Sequence, residues 1–169
     1  MHTDQTVPGS HAMPRLPRFL VAVLPVLAVA VSASLVTQPN IPDWYAGLQK
    51  PAFTPPNWAF PVVWTLLYAM MAYALWRILS IPESRPGRSM AIVAFFGQLV
   101  LNGLWSFAFF GGKSPLAGLV VIAALIVAIL ATIRAFWRLD RAAALLLVPY
   151  LAWVAYATAL NGTIWRLNG

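Results

Sequence analysis

The sequence predicts an all-α membrane protein, a bundle of five transmembrane helices. Two observations carry this expectation: the composition is too apolar for a water-facing surface, and the apolar residues fall into five long runs. The chain is 61% apolar and 9% charged, with a mean hydropathy of +0.77, whereas soluble domains carry roughly 25% charged residues. Its 169 residues give room for about five spans of roughly 20 residues in one domain.

Residues 1–17 are polar, contain prolines and show neither helical nor strand periodicity, so a disordered tail is expected before a membrane domain over 18–169. Met13 is an alternative start. The first apolar run covers Phe19–Val36. A basic start and small residues at Ser32-Ala33-Ser34 also fit a cleaved signal peptide, which would leave four helices, but the run exceeds the usual h-region of about 7–15 residues. A long loop over Gln38–Asn57 is expected next. Pro55 and Pro56 stop any helix before Asn57, which is expected to cap the second run, Trp58–Leu79, while Pro61 falls early enough to cost few hydrogen bonds. The remaining runs are Met90–Phe110, Leu116–Trp137 and Ala142–Trp165. Pro25 and Pro149 fall inside spans, where each should free a carbonyl one turn earlier and bend its helix, to open a cavity or simply as a tolerated kink.

The net charge of +7 is topological. The basic residues sit at the ends of the apolar runs and form no stripe, so a nucleic-acid partner is not expected. Arg15, Arg18, Arg77, Arg85, Arg88, Arg134, Arg138 and Arg141 fall on one side, and Lys50, Lys113 and Arg166 on the other. Under the positive-inside rule this excess predicts a cytoplasmic N-terminus and an external C-terminus, and a bacterial cell membrane is the expected host.

Residue types exclude much chemistry. There is no cysteine, hence no disulfide, thiolate metal site or thiol nucleophile, and both histidines, His2 and His11, lie in the tail. No metal site is expected, and a bound haem would need an axial ligand other than histidine. The acids Asp4, Asp43, Glu83 and Asp140 all lie outside the spans, which argues against a carboxylate proton relay and carboxylate acid–base catalysis.

Helical spacing places Asn57, Phe60, Trp64, Tyr68 and Met71 on one face of the second helix. It likewise aligns Gln98, Asn102, Trp105 and Phe109 on the third, and Tyr150, Trp153, Ala157 and Asn161 on the fifth. Aromatics filling a packed core with amides bonded between helices would give this pattern. So would a pocket for a flat apolar ligand, where stacking adds about 0.5–1.5 kcal/mol per ring pair and small Ala157 leaves space. Lys50, Asn57 and the indole N–H groups of Trp44 and Trp58 lie on the loop side, as donors to a ligand's acidic groups or, for the two tryptophans, as an interfacial belt.

Three ordered motifs resemble one family. They are Trp44-Tyr-Ala-Gly-Leu-Gln-Lys50-Pro with Pro55-Pro-Asn-Trp-Ala-Phe-Pro-Val-Val-Trp64-Thr-Leu-Leu-Tyr68, then Gln98-Leu-Val-Leu-Asn102-Gly-Leu-Trp105, and Val148-Pro-Tyr150-Leu-Ala-Trp153 running on to Asn161 and Asn168. Together they resemble the TspO/MBR family of tryptophan-rich sensory and translocator proteins, over about Phe19–Asn168. The resemblance implies a ligand pocket beneath the first loop, with protoporphyrin IX or haem as ligand rather than required cofactor, and a homodimer. It also implies light- and oxygen-dependent porphyrin breakdown using tryptophans that match Trp64 and Trp153. The alternatives are a facilitator that moves porphyrin, sterol or another apolar metabolite, and a regulatory scaffold. The eukaryotic sterol pattern near the fifth-helix end lacks its tyrosine here, and only Leu67, Tyr73 and Arg77 satisfy a loose version elsewhere.

Overall fold

The computed structural model describes residues 14–169. The expected tail therefore lies mostly outside the described residues, with His2, His11 and Met13, while Arg15 to Pro17 form the first turn of a helix. That helix, α1, spans Arg15–Thr37 and runs through Pro25 without a break. It continues as a 3-10 turn, Gln38–Asn40, and a π turn, Ile41–Tyr45, giving a helical rod of 31 residues over Arg15–Tyr45. Pro39 and Pro42, each at the start of one of these turns, supply no N–H to the usual ladder, so the turns tighten and then widen. Half of the expected Gln38–Asn57 loop is thus helical, and the irregular connection begins only after residue 47.

Helix α2 spans Ala59–Leu79. Its N-cap is Trp58 and no side chain accepts from its first turn, which corrects the expected capping by Asn57. Pro61 sits within the first turn, where its missing N–H would have had no partner. Gly87, at φ +86°, turns the chain into α3, Arg88–Ser106, a backbone position where an L side chain is strained. A π turn, Phe107–Gly111, extends α3 towards the loop that precedes α4, Pro115–Trp137. Ser114 caps α4, its hydroxyl accepting from the Ala117 N–H at 3.2 Å.

The fifth span is divided into α5, Arg141–Leu146, and α6, Val148–Asn168. Pro149 lies in the first turn of α6 rather than mid-helix as expected. It has no N–H to return to the carbonyl one turn earlier, so the span breaks at Leu147 instead of bending through. Among the described residues no strand occurs.

The packing leaves one seam open. Helix α3 lies along α4, α4 along α6, and α1 against both α2 and α3, but α2 meets the fifth span chiefly through short α5. At this arginine-rich end Met71, Leu75, Ile78, Phe95, Ile129 and Phe136 are buried in the main core. Arg77 Nε donates to Asp140 Oδ2 at 2.8 Å, and Asp140 Oδ1 accepts from the Ala142 and Ala143 N–H groups. Burial alone would raise the Asp140 carboxyl, but the guanidinium and the two N–H groups outweigh it and hold the pKa below the ordinary value. The outer surface is apolar: Leu35 and Met90 are 71% and 70% exposed, with Val93, Val120 and Val127 similar. Such a surface requires lipid rather than water, and five helices are long and apolar enough to span a membrane.

Candidate ligand-binding site

Because α6 stands away from α2 above α5, side chains rather than backbones bridge the seam, and a cavity of about 380 Å³ opens toward the loop end. Its size falls within the usual range of small-molecule sites, about 300–1,000 Å³. Phe60 and Trp64 of α2 face Trp153 and Ala157 of α6 across it. The Phe60 and Trp153 rings meet edge to face at 5.9 Å, and Trp64 stacks on Tyr68 at 5.3 Å. The third span contributes Asn102, Trp105 and Phe109, the last two stacked at 5.3 Å and 18°. Asn57 enters from the loop and Asn161 from α6.

The polar atoms are fastened in two chains. The Tyr68 hydroxyl donates to Asn102 Oδ1 at 2.8 Å, and Asn102 Nδ2 donates to the Tyr150 hydroxyl at 3.0 Å. Trp105 Nε1 donates to Asn161 Oδ1 at 3.2 Å, and Asn161 Nδ2 donates to the Pro115 carbonyl at 2.7 Å. These bonds satisfy buried groups and fix the ring planes. Gly118 makes the second chain possible, since a Cβ there would lie 2.8 Å from Asn161 Oδ1 and 2.9 Å from Phe109 Cδ2. Helix α4 shapes the cavity without lining it.

Five expected residues fall outside the lining. Tyr150 is fully buried behind Trp64 and Asn102, one layer deeper. Gln98 is buried at the core, its nearest partner the Met71 sulfur at 4.0 Å, with Oε1 unpartnered among the described residues. Trp44 packs edge-on against Phe109 and Phe110 from the far side. Trp58 is 71% exposed, suited to the membrane interface. Lys50 does not face the cavity: Nζ donates to the Ala46 and Leu48 carbonyls and lies 4.8 Å from the Tyr45 ring centre, closing the end of the α1 rod. The loose sterol pattern is split: Leu67 is buried in the core, while Tyr73 is exposed with its ring centre 5.9 Å from the guanidinium of Arg77, which Asp140 holds.

Sequence reasoning missed the α1 wall. Ala30, Ala33, Ser34 and Thr37 line the cavity at i, i+3, i+4 and i+7, so the small residues that resemble a cleavage site form a smooth wall. It also missed how the loop is held. The Gln49 N–H donates to Asn168 Oδ1 at 2.9 Å, Asn168 Nδ2 donates back to the Gln49 carbonyl at 2.9 Å, and the Tyr156 hydroxyl donates to the Phe53 carbonyl. Among the described residues no cluster of three or more His, Asp or Glu side chains is placed to hold a metal.

Comparison with known proteins agrees with this architecture. The family model described as TspO/MBR matches residues 21–166. The chain is 43% identical to a tryptophan-rich protein TspO of Archaeoglobus fulgidus, over 89% of this chain and 97% of the relative. It is 46% identical to the protein of the same name from Chlorobaculum tepidum, over 84% and 90%. Human translocator protein is 35% identical over 93% of both chains. With its five apolar spans and a match that runs nearly end to end, the chain belongs to the TspO/MBR family.

Proposed function

We propose that the chain is a membrane receptor that binds protoporphyrin IX or a related tetrapyrrole in the loop-end cavity and supports its photo-oxidative breakdown. The observation that carries this reading is the presence of two indoles, Trp64 and Trp153, on opposing walls of one apolar cavity. A flat macrocycle would stack on these rings, with its acidic substituents toward Asn57, Ser34 and Thr37. Indole is electron-rich. On illumination one electron would pass from a tryptophan to the excited porphyrin, and dioxygen would be the oxidant that breakdown consumes. Family resemblance supports a homodimer in the cell membrane with its arginine-rich end in the cytoplasm, an orientation the charge bias favours.

Phenylalanine keeps a stacking ring but is far harder to oxidise. Trp64→Phe and Trp153→Phe should therefore retain porphyrin affinity within about tenfold, roughly 1.4 kcal/mol, while light-driven product formation falls much further. Tryptophan-emission quenching gives the affinity and an illuminated absorbance series the turnover. Wild-type turnover in both variants rejects the photochemical role. A facilitator is the second reading, favoured by two cavity residues, Ala30 and Tyr68, that also border a groove on the lipid side. Flux of unaltered porphyrin through reconstituted vesicles would support it.

A further inference from the structure

A second concave surface, of about 610 Å³, lies outside the bundle along the seam between α1 and α2. Phe19, Val23 and Leu27 form one bank, and Trp76 stands on the other with small Ala69 and Ala72 between. From Phe19 to Ala30 the groove follows 11 residues of helix, about 16 Å at 1.5 Å per residue. That is about half of the roughly 30 Å hydrocarbon layer, the depth of a single leaflet. At the outer mouth Arg18 Nη1 donates to the Ser80 hydroxyl at 2.9 Å, and its guanidinium carbon lies 5.9 Å from the Trp76 ring centre. Arg15 is exposed one turn earlier. This end of the bundle carries the eight arginines named above against Glu83 and Asp140, and Asp140 is already paired with Arg77.

We propose that this groove is a binding site for one anionic phospholipid of the leaflet at the arginine-rich end. An acyl chain lies on Ala69 and Ala72 between the aromatic banks, and the phosphate sits beside Arg15 and Arg18. Three observations select this occupant: the groove is one leaflet deep, almost wholly apolar along its length, and cationic only at the headgroup level. The Thr65 and Tyr68 hydroxyls of the lining already donate to the Pro61 carbonyl and to Asn102 Oδ1; a sterol would leave the cationic mouth without an anion, and a second protein helix would bury the arginines against apolar surface.

The test is native mass spectrometry of the full chain in neutral detergent, titrated with phosphatidylglycerol or with phosphatidylcholine of the same acyl chains. One phosphatidylglycerol should be retained with about fivefold or greater preference. The double variant Ala69→Leu/Ala72→Leu fills the groove and should reduce that retention about fivefold or more, while Ala131→Leu on the exposed face of α4 should not. Arg18→Gln should remove the preference for the anionic lipid while leaving phosphatidylcholine retention unchanged; being a mouth substitution, it decides the question if the double variant does not fold. Equal retention of the two lipids by the wild type, or equal loss in Ala131→Leu and the groove variant, overturns the proposal. So does undiminished anionic preference in Arg18→Gln.

Discussion

The two ends of the bundle are built from the same spans and solve opposite problems. At the arginine-rich end α5 closes the gap between α2 and α4, and large apolar side chains fill it, with Phe95 and Phe136 stacked at 6.0 Å and 9°. At the loop end α6 stands off from α2, and the space is walled by aromatics and fastened amides instead. The break at Leu147, which Pro149 enforces, separates the two regimes. Stability and the proposed recognition are therefore drawn from different stretches of the same helices, and a substitution at one end should leave the other largely alone.

The largest effect should come from the closed end. Phe136 is fully buried, so Phe136→Ala should destabilise the protein by about 3–5 kcal/mol, read as a lowered unfolding midpoint in detergent. Porphyrin affinity of the protein that remains folded should stay near wild type. A parallel loss of affinity would show that the ends are not separable.

Gly118→Ala addresses the open end from behind. The added methyl meets Asn161 and Phe109, and overpacking of this kind costs about 1–3 kcal/mol. Affinity should fall with a shift in Trp105 emission, because the Trp105 to Asn161 bond is displaced. Unchanged emission would mean that the wall yields elsewhere. Asn168→Ala removes both bonds to Gln49; since they are exposed, each is worth about 0.5 kcal/mol. Ligand affinity should drop about threefold with helix content constant by circular dichroism.

Asp140→Asn should be the smallest. Asparagine keeps the cap but removes the charge facing Arg77, whose side chain is 32% exposed, so the loss at neutral pH should be about 0.2–1 kcal/mol. The folded-state pKa of Asp140 is depressed, so its stabilisation is present above the unfolded value of about 3.9 and is lost as pH falls through the lower folded value. The gap between wild-type and variant midpoints should be constant near neutrality and close under acid.

The five spans were legible because each apolar run is as long as the membrane is thick, and the largest shift is at the end of the first, which runs on from Val36 to Tyr45. Faces followed from periodicity: Phe60, Trp64, Trp105, Phe109, Trp153 and Ala157 all reach one cavity. Depth along a face was not legible. Tyr150 and Gln98 share their faces with lining residues but lie lower, where α5 has already closed the bundle. Lys50 was misplaced because a flexible cation satisfies whichever carbonyls are nearest, here those of Ala46 and Leu48. The α1 wall escaped notice because alanine and serine at a surface of contact carry no signal beyond smallness. Gly118 escaped because its effect passes through Asn161 and Phe109.

The uninterrupted rod from Arg15 to Tyr45 has one more consequence. Thirty-one helical residues extend about 46 Å, well beyond a hydrocarbon layer of roughly 30 Å. With Arg15 and Arg18 held at one surface, the far end, including Thr37, Gln38 and Tyr45 of the cavity rim, stands at headgroup depth or the rod tilts to bring it there. The cavity's mouth is thereby coupled to bilayer thickness: a thicker membrane would draw the rim into hydrocarbon and a thinner one would lift it into water. Host-membrane composition becomes a setting on the proposed ligand site, one that no residue in the cavity encodes.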